Sequence, residues 1–227
     1  GSQTIKLTAT DNSGAEISET FILTVTDIND DPTVVTLIED QEVDEDSDFS
    51  LTLSSNTFVD VDVGDSLILS STLNDGTLLP SWITFFPSTA TFSGTPLNQH
   101  VGTQIIKVTA TDDSGAKVSD TFDLTIVNTN DSPSVISLIP DQSIAHNNTL
   151  SIDLSDYFTD VDIGDNLSLS ATLNDGTALP SWLSFDLNTN VIIATPSAND
   201  FGEFDVLVTA TDLSGETAED LVSFIII

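Results

Sequence analysis

Aspartates recur along this chain in two spacings that suit oxygen chemistry. One is Asp-x-Asp, at Asp60-Val61-Asp62 and again at Asp160-Val161-Asp162; the other is Asn-Asp-x-Pro, at Asn29-Asp30-Asp31-Pro32 and Asn130-Asp131-Ser132-Pro133. Two unit charges about 4 Å apart in a partly screened site repel by roughly 4 kcal/mol, so gathering such carboxylates on neighbouring loops is unfavourable without a cation. Calcium suits the donor set. It takes about six to eight oxygens from carboxylates, backbone carbonyls and Asn side chains in flexible geometry, whereas Mg²⁺ demands an octahedron and keeps its waters. The alternative is that each Asp caps a turn and solvates a loop, as surface Asp commonly do. Recurrence of the whole set favours calcium.

Other chemistries find less support. With 37 Asp plus Glu against three Lys and no Arg, the formal charge is −34. There is no basic footprint for nucleic acid and none for anionic lipid. Absence of Cys removes disulfides, thiolate nucleophiles and zinc-thiolate sites. His100 and His146 lie in loop-like sequence outside any recurring motif, and no nucleophile elbow or glycine-rich phosphate cradle occurs, so the chain reads as no enzyme. Trp82 and Trp182 each follow Leu-Pro-Ser. An exposed indole there would stack on a sugar ring, whereas a buried one would plug a core, and the apolar neighbours Ile83, Phe85, Leu183 and Phe185 favour the core. The run from Glu39 to Asp48 reads as a solvated edge with one or two ligands in it, or as a dedicated cation trap. Charged edges also block strand-to-strand aggregation.

The elements that must hold these residues follow from an internal repeat of about 100 residues. Asp60-Val-Asp-Val-Gly-Asp65 returns as Asp160-Val-Asp-Ile-Gly-Asp165, Leu73-Asn-Asp-Gly-Thr77 as Leu173-Asn-Asp-Gly-Thr177, and Val108-Thr-Ala-Thr-Asp112 as Val208-Thr-Ala-Thr-Asp212. A third copy of the last motif stands upstream as Leu7-Thr-Ala-Thr-Asp11. The expected organisation is the tail of one repeat and its connector in 1–32, a complete repeat in 33–133, and a further repeat in 134–227 that stops before its own connector. Apolar residues alternate, as in Ile106, Val108 and Ala110 or Phe122, Leu124 and Ile126. Period two predicts half-buried antiparallel strands, separated by turns such as Asn74-Asp-Gly76 and Val63-Gly64-Asp65. About seven short strands per repeat, with no helical patterning, predict an all-β chain of tandem Greek-key Ig/cadherin-like β-sandwiches. No apolar run approaches the roughly 18 residues of a membrane-spanning helix, so a soluble protein is expected. Residues 4–26 supply one hairpin without the rest of its sandwich. An isolated hairpin is marginally stable, so it is expected to pair with another molecule, to swap, or to pack on repeat two.

The order Asp-Val-Asp-x-Gly-Asp, Val-Thr-Ala-Thr-Asp-x-Ser-Gly, Asn-x-Asn-Asp-x-Pro, together with Leu-Pro-Ser-Trp and Gly-Thr-Pro, resembles the dystroglycan-type cadherin-like repeats of large bacterial surface adhesins, often of the RTX type. The resemblance spans essentially the whole chain and is shared more distantly with cadherin repeats. It implies calcium at the boundaries between successive domains. The first set would be Asp27, Asn29 and Asp30 with Asp60, Asp62 and Asp112; the second Asn128, Asn130 and Asp131 with Asp160, Asp162 and Asp212, helped by Glu45. Two departures stand out. Asn128 replaces the acid found at Asp27, and the place of Glu45 falls at or near His146 in the next repeat. Asp65 and Asp165 read equally as ligands or as turn residues. The implied role is a calcium-stiffened extender at the bacterial cell surface, projecting a distal ligand-binding region. Its partners would be neighbouring repeats, with homo-association through the hairpin as an addition. The rivals are a calcium-dependent glycan binder and homophilic adhesion through sheet edges.

Overall fold

Strands form wherever apolar residues alternate, because period-two patterning puts one face of each strand into a core and leaves the other in water. The computed structural model describes residues 1–26, 28–62 and 64–227; Asp27, and Val63 of the expected 63–65 turn, lie outside the described residues. Among the described residues there are twenty strands, one 3-10 turn at Asn98–His100 and no α-helix. Among the described residues no helix is long and apolar enough to cross a membrane. The chain divides into two compact units, Gly1–Val127 and Asn128–Ile227.

The first unit begins with a hairpin, β1 (Ser2–Thr10) and β2 (Glu16–Thr24), and continues as a sandwich of nine strands. One sheet has four strands in the order β4 (Gln41–Asp44), β11 (Lys117–Val127), β10 (Gly102–Thr111) and β7 (Ile68–Leu73). A second holds β5 (Phe49–Thr52), β9 (Thr91–Gly94) and β8 (Ile83–Phe86). The very short β3 (Thr33–Val34) and β6 (Phe58–Val59) pair separately and raise the strand count above the seven expected. One pairing departs from the antiparallel expectation: β4 runs parallel to β11. Phe92, Ile106, Val108, Phe122, Leu124 and Ile126 fill the core between the sheets.

The second unit repeats this plan. Its four-stranded sheet is β13 (Gln142–Ile144), β20 (Thr217–Ile226), β19 (Gly202–Thr211) and β16 (Ser168–Leu173), facing β14 (Leu150–Asp153), β18 (Val191–Ala194) and β17 (Leu183–Asp186). A short pair, β12 (Ser134–Val135) and β15 (Phe158–Thr159), closes it. Its core gathers Leu154, Ile192, Val206, Val208, Val222 and Phe224.

The hairpin corrects one expectation. β1 and β2 pair over nine residues, braced by hydroxyl contacts between Ser2 and Thr24 (3.1 Å) and between Thr8 and Ser18 (3.0 Å). Yet Leu7, Ile17, Phe21, Leu23 and Val25 are all exposed, so the apolar face does not pack on repeat two. The physical reason is that both inner faces of that sandwich are already spent on each other.

Candidate metal centre

In repeat two the site is assembled from a connector and two turns. The connector ends on buried Pro32, and just before it the Asn29 Nδ2 donates to Asp112 Oδ2 at 2.9 Å while the Asp30 backbone N–H donates to Asp62 Oδ2 at 2.8 Å. Asp112 sits in the tight turn between β10 and β11, where its Oδ1 accepts the backbone N–H groups of Ser114 (3.0 Å) and Ala116 (2.7 Å). Gly115 takes φ +95° there, a conformation that disfavours any side chain. Asp60 turns its Oδ1 back to the Asp62 backbone N–H at 2.9 Å. Its second oxygen, Oδ2, is buried without a hydrogen-bond partner, and so is Oδ2 of Asp65. Asp60, Asp62 and Asp65 each bring one oxygen within 4.8 Å of the others.

Repeat three reproduces the arrangement. Asn130 Nδ2 donates to Asp212 Oδ2 at 2.9 Å, the Asp131 N–H to Asp162 Oδ2 at 2.8 Å, and the Asp162 N–H to Asp160 Oδ1 at 2.9 Å. Asp212 Oδ1 accepts from the N–H groups of Gly215 (2.6 Å) and Glu216 (2.8 Å). Asn128 adds a contact of its own, donating to Asp162 Oδ1 at 3.0 Å. Asp160 Oδ2 is again buried and unpartnered, and Asp160, Asp162 and Asp165 again converge within 4.8 Å.

The electrostatics separate the carboxylates into two kinds. The Asn29 amide holds the Asp112 carboxyl below its ordinary value, outweighing desolvation with help from the backbone N–H groups of Ala116, Gly115 and Ser114. Asn130 and the following turn do the same for Asp212. Asp65 goes the other way: desolvation pushes it up, and the charges of Asp113, Asp60, Asp62 and Asp112 push further. Burying a carboxylate oxygen with no donor costs free energy, and a hard cation is the partner that satisfies an all-oxygen set of this kind. The residues present therefore fit a calcium ion. Asp65 and Asp165, ambiguous in sequence, lie inside the two clusters.

The remaining sequence candidates make the following local contacts. The Glu45 backbone N–H bonds the Val127 carbonyl at 2.9 Å, where β11 leaves the sandwich. His146 makes the equivalent bond to Ile227, also 2.9 Å, so it holds the place of Glu45 as the sequence indicated. The His100 Nδ1 accepts the Leu97 backbone N–H at 2.8 Å. Trp182 is buried, edge-on to Phe204 at 5.1 Å. Trp82 is only half-buried, tilted over His100 at 5.7 Å, with its Nε1 shielded and without a partner. Sequence reasoning missed two structural acids. Asp120 Oδ2 accepts the Ile38 N–H at 2.8 Å, and Asp220 Oδ2 the Ile139 N–H at 2.6 Å, tying the first segment of each sandwich to its last strand. The signal was their parity: each occupies the inward register between apolar residues, Val118 and Phe122 or Ala218 and Val222.

A family model described as "Putative Ig domain" matches residues 31–127 and 132–226. A Staphylococcus aureus protein, "Serine-rich adhesin for platelets", is 30% identical over 142 residues, covering 63% of this chain. The chain covers only 6% of that relative's length. Among solved structures, mouse cadherin-23 EC22-24 aligns with a TM-score of 0.60 at 19% identity, covering all of this chain and 74% of the other. Human mucin-like protocadherin EC1-2 aligns at 0.57 and 13% identity, covering 86% of this chain and 98% of the other. At these identities the likeness concerns the fold.

Proposed function

We propose, for a chain that belongs to the Putative Ig domain family, a role as calcium-stiffened spacer repeats of a bacterial cell-surface adhesin. One observation carries the reading: in both repeats the backbone N–H of the connector's Asp is hydrogen-bonded to a carboxylate, Asp62 or Asp162, that converges with two others around an unpartnered oxygen, while the connector's Asn is bonded to the turn carboxylate Asp112 or Asp212. The ion would be held by Asp60, Asp62, Asp65 and Asp112 in repeat two, and by Asp160, Asp162, Asp165 and Asp212 in repeat three, with Asn29, Asp30, Asn130 and Asp131 from the connectors. Asp27, Asn128 and Glu45 complete the set that the cadherin-like resemblance implies.

Calcium supplies positive charge where carboxylates otherwise repel. Each connector is short, so tying it to the following sandwich removes hinge freedom that a free acidic linker keeps through self-repulsion. At about a hundredfold excess of calcium over its dissociation constant, linkage favours the bound arrangement by roughly 2.7 kcal/mol. Extracellular modules commonly bind in the range of about 10⁻⁴ to 10⁻³ M, which suits a surface location and not the cytosol. Similarity to a staphylococcal protein named as an adhesin for platelets supports the same location. The glycan-binding reading draws no support from the indoles, since one is buried and the other half-covered.

Small-angle scattering tests the role. With millimolar calcium the maximum dimension is expected to be larger and the distribution narrower than in excess chelator. Superimposable profiles in the two conditions would refute the spacer reading.

A further inference from the structure

Each sandwich is fastened along one seam, where its first segment lies beside its last strand. In repeat two the Ile38 N–H donates to Asp120 Oδ2 at 2.8 Å and the Asp123 N–H to Asp40 Oδ1 at 2.8 Å. Gln41–Asp44 then pair with 124–127, and the Glu45 N–H closes on the Val127 carbonyl at 2.9 Å. Repeat three has the same seam. The Ile139 N–H donates to Asp220 Oδ2 at 2.6 Å and the Ser223 N–H to Asp141 Oδ1 at 3.0 Å, Gln142–Ile144 lie beside 224–226, and the His146 N–H donates to the Ile227 carbonyl at 2.9 Å. The carboxylates thus carry the ladder past the end of the backbone pairing. In both seams the two strands run parallel, whereas every other described pairing is antiparallel.

We propose that this seam gives each repeat a second function, resistance to tension applied along the polypeptide. Tension reaches a repeat through its connector and leaves through its last strand, so it draws β4 toward the entry end and β11 toward the exit end. Two parallel neighbours pulled in opposite senses must slide. The evenly spaced bonds of a parallel ladder are then strained together. Slip would also drag Ile38, which belongs to the core, toward water. The hairpin has the opposite geometry. β1 and β2 are antiparallel, and the Val25 N–H donates to the Gly1 carbonyl at 2.8 Å, so the two points where tension acts lie side by side and the pairs open one after another. Resistance of this kind follows the unfolding barrier and not equilibrium stability. The seam lies inside each sandwich and uses no carboxylate of the loop clusters. The inference takes the spacer role as its setting but does not rest on calcium.

The test pulls single molecules of the Ser47→Cys variant in excess chelator, in two geometries. Ser47 is exposed just past β4, and the chain has no cysteine of its own, so the thiol is a unique handle. Pulled between its termini, the molecule is expected to lengthen by about 80 Å at low force as the hairpin opens, then twice by about 300 Å at several-fold higher force, given the reach of each released residue. Pulled between position 47 and the C-terminus, repeat two is opened from one end of its seam. Its rupture force is expected to fall to half or less, while that of repeat three stays the same. Because the Glu45 N–H faces β11, period two turns the Val43 N–H the same way and the Glu42 N–H outward. Val43→Pro is therefore expected to weaken one of the two long events and Glu42→Pro to leave both. Equal rupture forces in the two geometries, sandwich events no stronger than hairpin opening, or equal weakening by the two prolines would overturn the proposal. Direction-dependent rupture alongside scattering that ignores calcium would refute the stiffened-spacer reading and leave this one standing.

Discussion

Repeats two and three agree at one end and part at the other. At the end where the connectors enter, the bonds from the connector and within the Asp-x-Asp motif recur, Asp60, Asp62 and Asp112 being matched by Asp160, Asp162 and Asp212, with Asn128 adding one more to Asp162. At the end where β11 and β20 leave, Glu39, Asp40, Glu42, Asp44, Glu45, Asp46 and Asp48 of repeat two face a counterpart in repeat three whose only acid is Asp141. The backbone is the same in both: Asp46 and Asn147 both take left-handed φ, 57° and 66°, and each bonds a proline carbonyl, of Pro96 or Pro196. Fold therefore does not demand the acids of the exit end. The entry end differs, because its carboxylates accept the hydrogen bonds that shape the connector.

That contrast can be broken or sharpened by substitution. The largest effect is expected from Asp60→Asn and Asp160→Asn, each lowering calcium affinity of its own repeat by more than about tenfold, through loss of ligand charge. Calcium-dependent melting, followed in each repeat by hydrogen exchange, would check whether the loss stays within one repeat. Next comes a difference between the cores. A Cβ on Gly94 would sit 2.0 Å from the Trp82 carbonyl oxygen, while Ala194 occupies the matching place in repeat three. Gly94→Ala is expected to destabilise repeat two by about 1–3 kcal/mol, read by denaturant unfolding. A smaller gain is expected from Ala90→Asn. Ala90 takes φ 51° and Asn190 φ 55°, and Asn tolerates this region better, so stability should rise by about 1 kcal/mol. The smallest effect is expected at Glu45→Gln, which removes one charge and should weaken calcium binding by a factor of a few in calorimetry.

Much of this was legible in the chain itself because alternation and internal repetition are strong signals. Ile106, Val108 and Ala110 are fully buried as their parity required, and the paired Asp-x-Asp motifs form the clusters. What escaped sequence reasoning depends on pairing partners far apart in the chain. The parallel pairing of β4 with β11 has no local signature. Asp65 could be placed in its cluster only once the turn brought its oxygen within 4.8 Å of Asp60 and Asp62. The two tryptophans share one motif but differ in burial, since the indoles meet different neighbours, His100 in one repeat and Phe204 in the other.

The central claim is that the loop carboxylates of each repeat hold a calcium ion. Titrating calcium into the metal-free chain by isothermal calorimetry tests it most directly. The account predicts a saturable heat with dissociation constants at or below about 10⁻³ M, lost when Asp60→Asn and Asp160→Asn are combined. Heats no larger than dilution, or a saturable signal that survives both substitutions, would contradict it.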